Sequence, residues 1–114
     1  MDSGNRSKAE IPPGTLEMLI LKTIQRFGPA HGYSIAKSIQ QMSEDVLRVE
    51  EGSLYPALQR ILMKGWVTAE WVEAGPKRRH RVYRLTREGR QRLAAEISSY
   101  CRVSQAIQRV IQPA

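Results

Sequence analysis

The stretch EEGSLYPALQRILMKG, residues 50–65, decides the fold. Leu54, Leu58, Ile61 and Leu62 recur at helical spacing and mark one buried stripe. Opposite them lie Pro56, Gln59, Arg60 and Met63, with Tyr55 at the border. Ser53 is placed to cap the helix, because its hydroxyl can accept from an amide two or three residues on. Pro56 then falls at the third helical position, where a missing N–H breaks no bond. Gly65 stands where a helix end favours a left-handed residue. Alone, this is an ordinary amphipathic helix with a solvated outer face. Its neighbourhood changes that.

Beyond it comes PKRRHRVYRLTREGR, residues 76–90. The chain carries 18 Lys and Arg against 11 Asp and Glu, a net charge of +7 and a pI near 10.1. Lys77, Arg78, Arg79, Arg81, Arg84, Arg87, Arg90 and Arg92 are set against a single acid, Glu88. Elsewhere ten basic residues (18 − 8) balance ten acidic ones (11 − 1). The whole excess therefore sits in one arm and the helix start after it, which points to a localised polyanion site.

The arm itself is a hairpin. WVTAEWVE (66–73) and RHRVYRL (79–85) are rich in β-formers, and Gly75-Pro76 is a turn signal between them. Val67, Val82 and Leu85 are candidates to face the core. Trp66, Trp71 and Tyr83 are hairpin packing residues, with an aromatic ligand as the lesser alternative.

Upstream, residues 1–10 are polar and aperiodic and are expected to form a disordered tail. Thr15 is placed to cap a helix running to about Phe27, with a stripe of Leu16, Leu19, Ile20, Ile24 and Phe27. Met18 and Leu21 lie off that stripe. They imply either contact with a second subunit or packing on two sides within one protomer. Gly28-Pro29 stops the helix, and His31 reads as a turn residue before a second helix over 33–42. Ile35, Ala36, Ile39 and Met42 are expected to point inward there. Val46 to Val49 reads as a very short strand. Two short helices with a lengthened connector make a helix-turn-helix variant.

Downstream, Thr86 caps a last helix with Glu88 in its first turn, where the macrodipole favours an acid. Gly89 weakens that turn. Leu93, Ile97, Tyr100, Ser104, Ile107 and Ile111 alternate at spacings of four and three, a coiled-coil seam with one serine in it. So long a helix has too little protomer to cover it, so dimerisation is the favoured reading. Cys101 adjoins the seam as a small buried hydrophobe.

A chain of 114 residues holds one domain. The expected division is a tail (1–10), a winged helix-turn-helix (11–87) and a dimerisation helix (88–112). The fold class is mostly α with a small β-hairpin. The longest apolar run, Met18 to Leu21, is far too short to cross a bilayer, and no signal peptide opens the chain. One cysteine and two histidines allow no internal disulfide and no zinc set, so neither metal nor cofactor is expected. No nucleophile, acid–base and metal constellation is present, which excludes an enzyme. A reducing cytoplasm is the natural compartment.

HGYSIAKSI (31–39), EGSLYPALQRILMKGWV (51–67) and EWVEAGPKRRHRVYRLTREGRQRL (70–93) together resemble the PadR family of bacterial transcriptional regulators. The match in order and spacing covers about eighty residues, and only one helix follows the wing, as in the shorter branch of that family. The resemblance implies a winged-helix DNA-binding domain and a homodimer built with the first and last helices. It also implies repression of a nearby promoter. Some relatives bind flat aromatic or phenolic compounds at the dimer interface. A small aromatic effector is thus a candidate partner, around Leu21, Tyr100 and Ile107, although the last helix offers no tryptophan.

On this reading duplex DNA is the partner. Gln59 and Arg60 are the candidates for base edges, since Arg suits guanine and Gln suits adenine. Ser53, Tyr55 and the helix N-terminus hold phosphates, with Tyr33 and Ser34 as further backbone contacts, and Pro56 belongs to the DNA-binding face. Lys77, Arg78, Arg79 and Arg81 reach phosphates or the minor groove. Which of Arg84, Arg87, Arg90 and Arg92 touch DNA is left open. Met18, Leu21, Leu93, Ile97, Tyr100, Ile107 and Ile111 are the dimer-interface candidates. The alternative is a basic winged-helix module that binds an acidic protein or nucleic acid without sequence preference.

Overall fold

Seven elements follow one another in the computed structural model, which describes residues 11, 12 and 14–113. They are α1 Thr15–Phe27, β1 Ala30–His31, α2 Gly32–Met42, α3 Glu51–Met63, β2 Val67–Gly75, β3 Arg78–Leu85 and α4 Arg87–Ile111. The tail expected over 1–10 lies outside the described residues. Four helices with a small antiparallel sheet make a winged helix-turn-helix with one long helix after the wing. None of these helices is long and apolar enough to cross a membrane.

α1 is the hub. It packs on α2, α3, β3 and α4, and Ile20, Leu21 and Ile24 are sealed from solvent. Ile35 and Ile39 of α2, and Leu54, Leu58 and Ile61 of α3, close over it. Met18 is nearly as buried as Leu21, so the second apolar side of α1 is covered inside one chain. Truncating Leu21 to alanine at this centre is expected to cost about 2–5 kcal/mol.

The helix ends depart from the expectation in several places. Thr15 does not cap α1; Gly14, at φ 82°, is the N-cap and no side chain caps. Ser53 does not cap α3 either. Extended Glu50 begins that helix, its carbonyl accepting from the Ser53 and Leu54 amides. Pro56 therefore lies in the second turn, where its missing N–H leaves the Gly52 carbonyl without a helical partner. The other end is as expected. Gly65 takes φ 80°, and the Trp66 and Gly65 amides donate to Ile61 and Leu62 carbonyls, the Schellman pattern.

The sheet gains a strand that the sequence did not advertise. β1 pairs antiparallel with β3 through Ala30↔Tyr83 and His31↔Val82, giving the order β1-β3-β2. Gly28-Pro29 turns the chain so that two residues lie along the free edge of β3. His31 is thus a strand residue and also the N-cap of α2. No strand element forms over 46–49. Glu44 and Asp45 take positive φ, and the Leu47 amide donates to the Ser43 hydroxyl in a tight turn. Phe27 and Met42, expected inward, are exposed because α1 and α2 outrun the core at their last residues. Cys101 is exposed as well.

α4 is anchored at its start. The Thr86 hydroxyl accepts from the Gly89 amide at 2.9 Å and donates to the Gly65 carbonyl at 2.8 Å. Gly89 is needed for packing: a Cβ there would overlap the Trp66 carbonyl oxygen and sit 2.9 Å from its carbon. After Ile97, α4 leaves the core and runs out past it, exposing Tyr100, Val103, Ile107, Val110 and Ile111.

Candidate nucleic-acid interface

Burying Leu54, Ala57, Leu58 and Ile61 fixes which face α3 turns outward. Gly52, Pro56, Gln59 and Met63 line that face, and all are exposed. It carries no charge, and Gln59 is its only side chain with hydrogen-bonding groups. Tyr55 borders it toward α2. Its ring is accommodated by Gly32, where an added Cβ would stand 3.1 Å from Tyr55 Cε1 and 3.2 Å from Leu58 Cδ1.

Arg60 is not free. Its Nε donates to Glu17 Oε2 of α1 at 2.6 Å, and Lys64 Nζ donates to Glu17 Oε1 at 3.3 Å. Partial burial pushes the Glu17 carboxyl up, but the hydrogen bonds from Arg60 and Lys64 outweigh it and hold the group below its ordinary value. The Nε edge of the guanidinium therefore faces α1, while the side chain stays 53% exposed.

A row of rings joins the helix-turn-helix to the wing. His31 stacks on His80 of β3 with centroids 4.4 Å apart and planes 16° off parallel, and the Tyr33 ring centre lies 6.5 Å from that of His31. Burial pushes the His31 imidazole below its ordinary value, and the neighbouring His80 adds to this. His31 also accepts from the Ser34 amide, and the Ser34 hydroxyl lies 3.1 Å from its Nε2. Ser34 thus serves the start of α2. Tyr33 is exposed, with Lys37 Nζ 5.7 Å from its ring centre one turn on.

The wing turns at Gly75 and Lys77, both at positive φ, with a register shift between Glu73 and Gly75. Lys77, Arg78 and Arg79 stand exposed at its tip. Arg79 and Arg81 both lie over Trp71, at 5.1 and 5.7 Å, and Arg81 is half-buried, so Trp71 props the arginines rather than packing into the core. A cavity of about 600 Å³ opens between α2 and α3, bounded by Tyr33, Lys37, Gln40, Asp45, Glu51 and Tyr55. The effector position expected near Leu21 loses that residue, which is wholly covered.

The expected DNA contacts thus fall into three groups. Tyr33, Tyr55, Pro56, Gln59 and Ser53 are exposed along α2 and α3, and Lys77, Arg78 and Arg79 are exposed on the wing. Arg60, Ser34 and Arg81 are engaged within the chain. Lys37 was missed, although its spacing of four from Tyr33 on one helix is legible. Glu17 gave no signal, being 43 residues from its partner. Of the dimer candidates, Met18, Leu21 and Leu93 are buried within the protomer, whereas Ile97 is half-covered and Tyr100, Ile107 and Ile111 are exposed.

This architecture defines a winged-helix protein. Residues 20–95 match the transcriptional regulator PadR-like family, and the chain belongs to it. A transcriptional regulator from Clostridium thermocellum superposes with a TM-score of 0.80 at 23% identity, over 87% of this chain and 95% of that one. A PadR family regulator from Eggerthella lenta gives 0.75 at 28% identity, over 89% and 85%. Bacillus subtilis PadR, solved in complex with operator DNA, gives 0.68 at 24%, over 76% of this chain and 48% of its own. The protein is a transcriptional regulator of the PadR-like family.

Proposed function

We propose that the chain acts as a homodimeric repressor that recognises a near-palindromic promoter site in duplex DNA. The outer face of α3 enters the major groove, where the Gln59 amide pairs with an adenine edge. Gly52 and Pro56 allow that face to come close, and Met63 extends it. Tyr33, Lys37, Ser53 and Tyr55 lie along the phosphates and fix register without reading sequence. Lys77, Arg78 and Arg79 reach the backbone or the adjacent minor groove. Arg60 can offer a guanine edge only its terminal amino groups, since its Nε is held by Glu17.

The observation that carries this proposal is the pairing of an exposed, uncharged α3 face with an exposed basic wing, joined by the Tyr33–His31–His80 row. The likeness to a protein solved on its operator supports the choice of partner. The dimer rests on the second half of α4, where Tyr100, Val103, Ile107, Val110 and Ile111 leave an apolar face uncovered. Two-fold symmetry then sets half-sites about 10 bp apart, centre to centre.

The test is fluorescence anisotropy with the duplex upstream of the protein's own gene and a scrambled duplex of equal length. Titrations run between about 50 and 200 mM salt, where phosphate contacts cause a steep loss of affinity. Preference for the upstream duplex at the higher salt is expected. Equal, salt-sensitive binding to both would favour the non-specific module. Replacing Gln59 by alanine should relax preference at one base pair, by about 1–3 kcal/mol.

A further inference from the structure

We propose that Glu17 of α1 sets the sequence-independent part of this protein's affinity for DNA, by holding back from the phosphates two cations, Arg60 of α3 and the C-cap Lys64. The inference rests on the DNA-binding function proposed above. Arg60 and Lys64 stand one turn apart on α3, flanking the uncharged outer face. Both are about half exposed, at 53% and 47% for their side chains, whereas the Glu17 side chain is only 17% exposed. One carboxylate, largely covered and kept ionised, thus serves two cations that reach solvent.

Electrostatics gives the consequence. Sequence-independent affinity grows with the number of phosphates neutralised, with a slope of log K against log salt of about 0.9 per phosphate. A guanidinium hydrogen-bonded to a carboxylate at 2.6 Å already has its charge compensated in part, so it neutralises less of a phosphate's. The clamp therefore weakens binding to every sequence alike. The face formed by Pro56, Gln59 and Met63 carries no charge and does not depend on it. Because this loss is common to operator and bulk DNA, it cancels in the ratio of the two affinities, and the clamp sets the absolute affinity and its salt dependence.

Two other roles for Glu17 predict different results. A carboxylate that aims Arg60 at a base would, when removed, weaken the operator and spare scrambled DNA. A purely structural tie between α1 and α3 would, when removed, lower stability and weaken both.

The experiment compares wild type with Glu17→Gln, which keeps shape and removes charge, on operator and scrambled duplexes across about 50–200 mM salt. Freeing two cations should steepen the salt slope by up to about 1.8 per protomer, so scrambled DNA gains affinity at low salt, by several-fold or more. The operator should gain by a similar factor, so the operator-to-scrambled ratio should hold. Adding Arg60→Gln and Lys64→Gln to Glu17→Gln should abolish the gain. Thermal melting of Glu17→Gln checks folding, and Glu17→Asp, which keeps the charge, should stay closer to wild type on scrambled DNA than Glu17→Gln does. An unchanged salt slope in a folded Glu17→Gln protein overturns the inference while leaving DNA binding intact. Wild type that binds neither duplex overturns both.

Discussion

Gly89→Ala is the substitution for which helix propensity and packing predict opposite signs. Gly89 sits in the first turn of α4, where alanine is worth up to about 1 kcal/mol more than glycine in an open helix. Packing opposes this. A Cβ at Gly89 would overlap the Trp66 carbonyl oxygen, stand 2.9 Å from its carbon and 3.0 Å from Leu85 Cδ1. The leucine can rotate away, but the carbonyl is backbone and already accepts from the Thr86 amide at 3.1 Å. Separating the segments strains that bond, worth about 1 kcal/mol, on top of about 1–3 kcal/mol for overpacking. Against the propensity gain the net is a loss of about 1–3 kcal/mol. For a domain of this size that lowers the melting temperature by on the order of 5–20 °C. Circular dichroism melts of wild type and variant, at equal concentration because dimers melt concentration-dependently, measure it directly. A variant melting at or above wild type would refute the packing argument and leave propensity as the only effect.

Three further outcomes follow from other parts of the molecule. Replacing Lys77, Arg78 and Arg79 by glutamine should weaken binding to all duplexes and flatten the salt slope by up to about 2.7 per protomer, read by the same anisotropy titrations. Ile107→Glu places a charge in the uncovered face of α4 and should give monomers by sedimentation velocity with little change in helix content. Burial holds the His31 imidazole below its ordinary pKa, so the native state resists its protonation. The stability it contributes is complete above about pH 6.5 and is lost as pH falls through the lower folded value. Melting temperature should accordingly decline between pH 7 and pH 5, and His31→Gln should shallow that decline.

What could be read from the chain was local. The stripe of Leu54, Leu58 and Ile61, the Gly65 stop and the Gly75-Pro76 turn depend on neighbours a few residues away, and each stands in the structure as expected. The start of α3 was misread because serine is a better cap than glutamate by propensity, yet the extended Glu50 backbone needs no side chain to begin the helix. β1 escaped because two residues carry no period; only the free edge of β3 makes them a strand. Phe27 and Met42 satisfy the helical period, but a small core ends before they reach it. The engagement of Arg60 was invisible for another reason. Its partner comes from an element 43 residues earlier, and no spacing rule links them.

The same distinction explains why Gly89 was assigned the wrong meaning. In sequence it is a weak helix residue; in space it is where the end of α3, the start of β2 and the start of α4 meet. Gly65 closes α3 and lends its carbonyl to the Thr86 hydroxyl, Thr86 donates its amide to Trp66, and Gly89 donates to Thr86. Three short bonds and one missing methyl group thus set the direction of α4 relative to α3. If α4 is the dimer helix, that junction fixes how far apart two α3 helices stand, and hence which half-site spacing they accept. A junction this close-packed has one arrangement rather than a range, because backbone carbonyls cannot rotate aside as side chains do. Loosening it by Gly89→Ala should therefore broaden the tolerated spacing before it abolishes binding, a result visible as affinity retained on duplexes with one base pair inserted between half-sites.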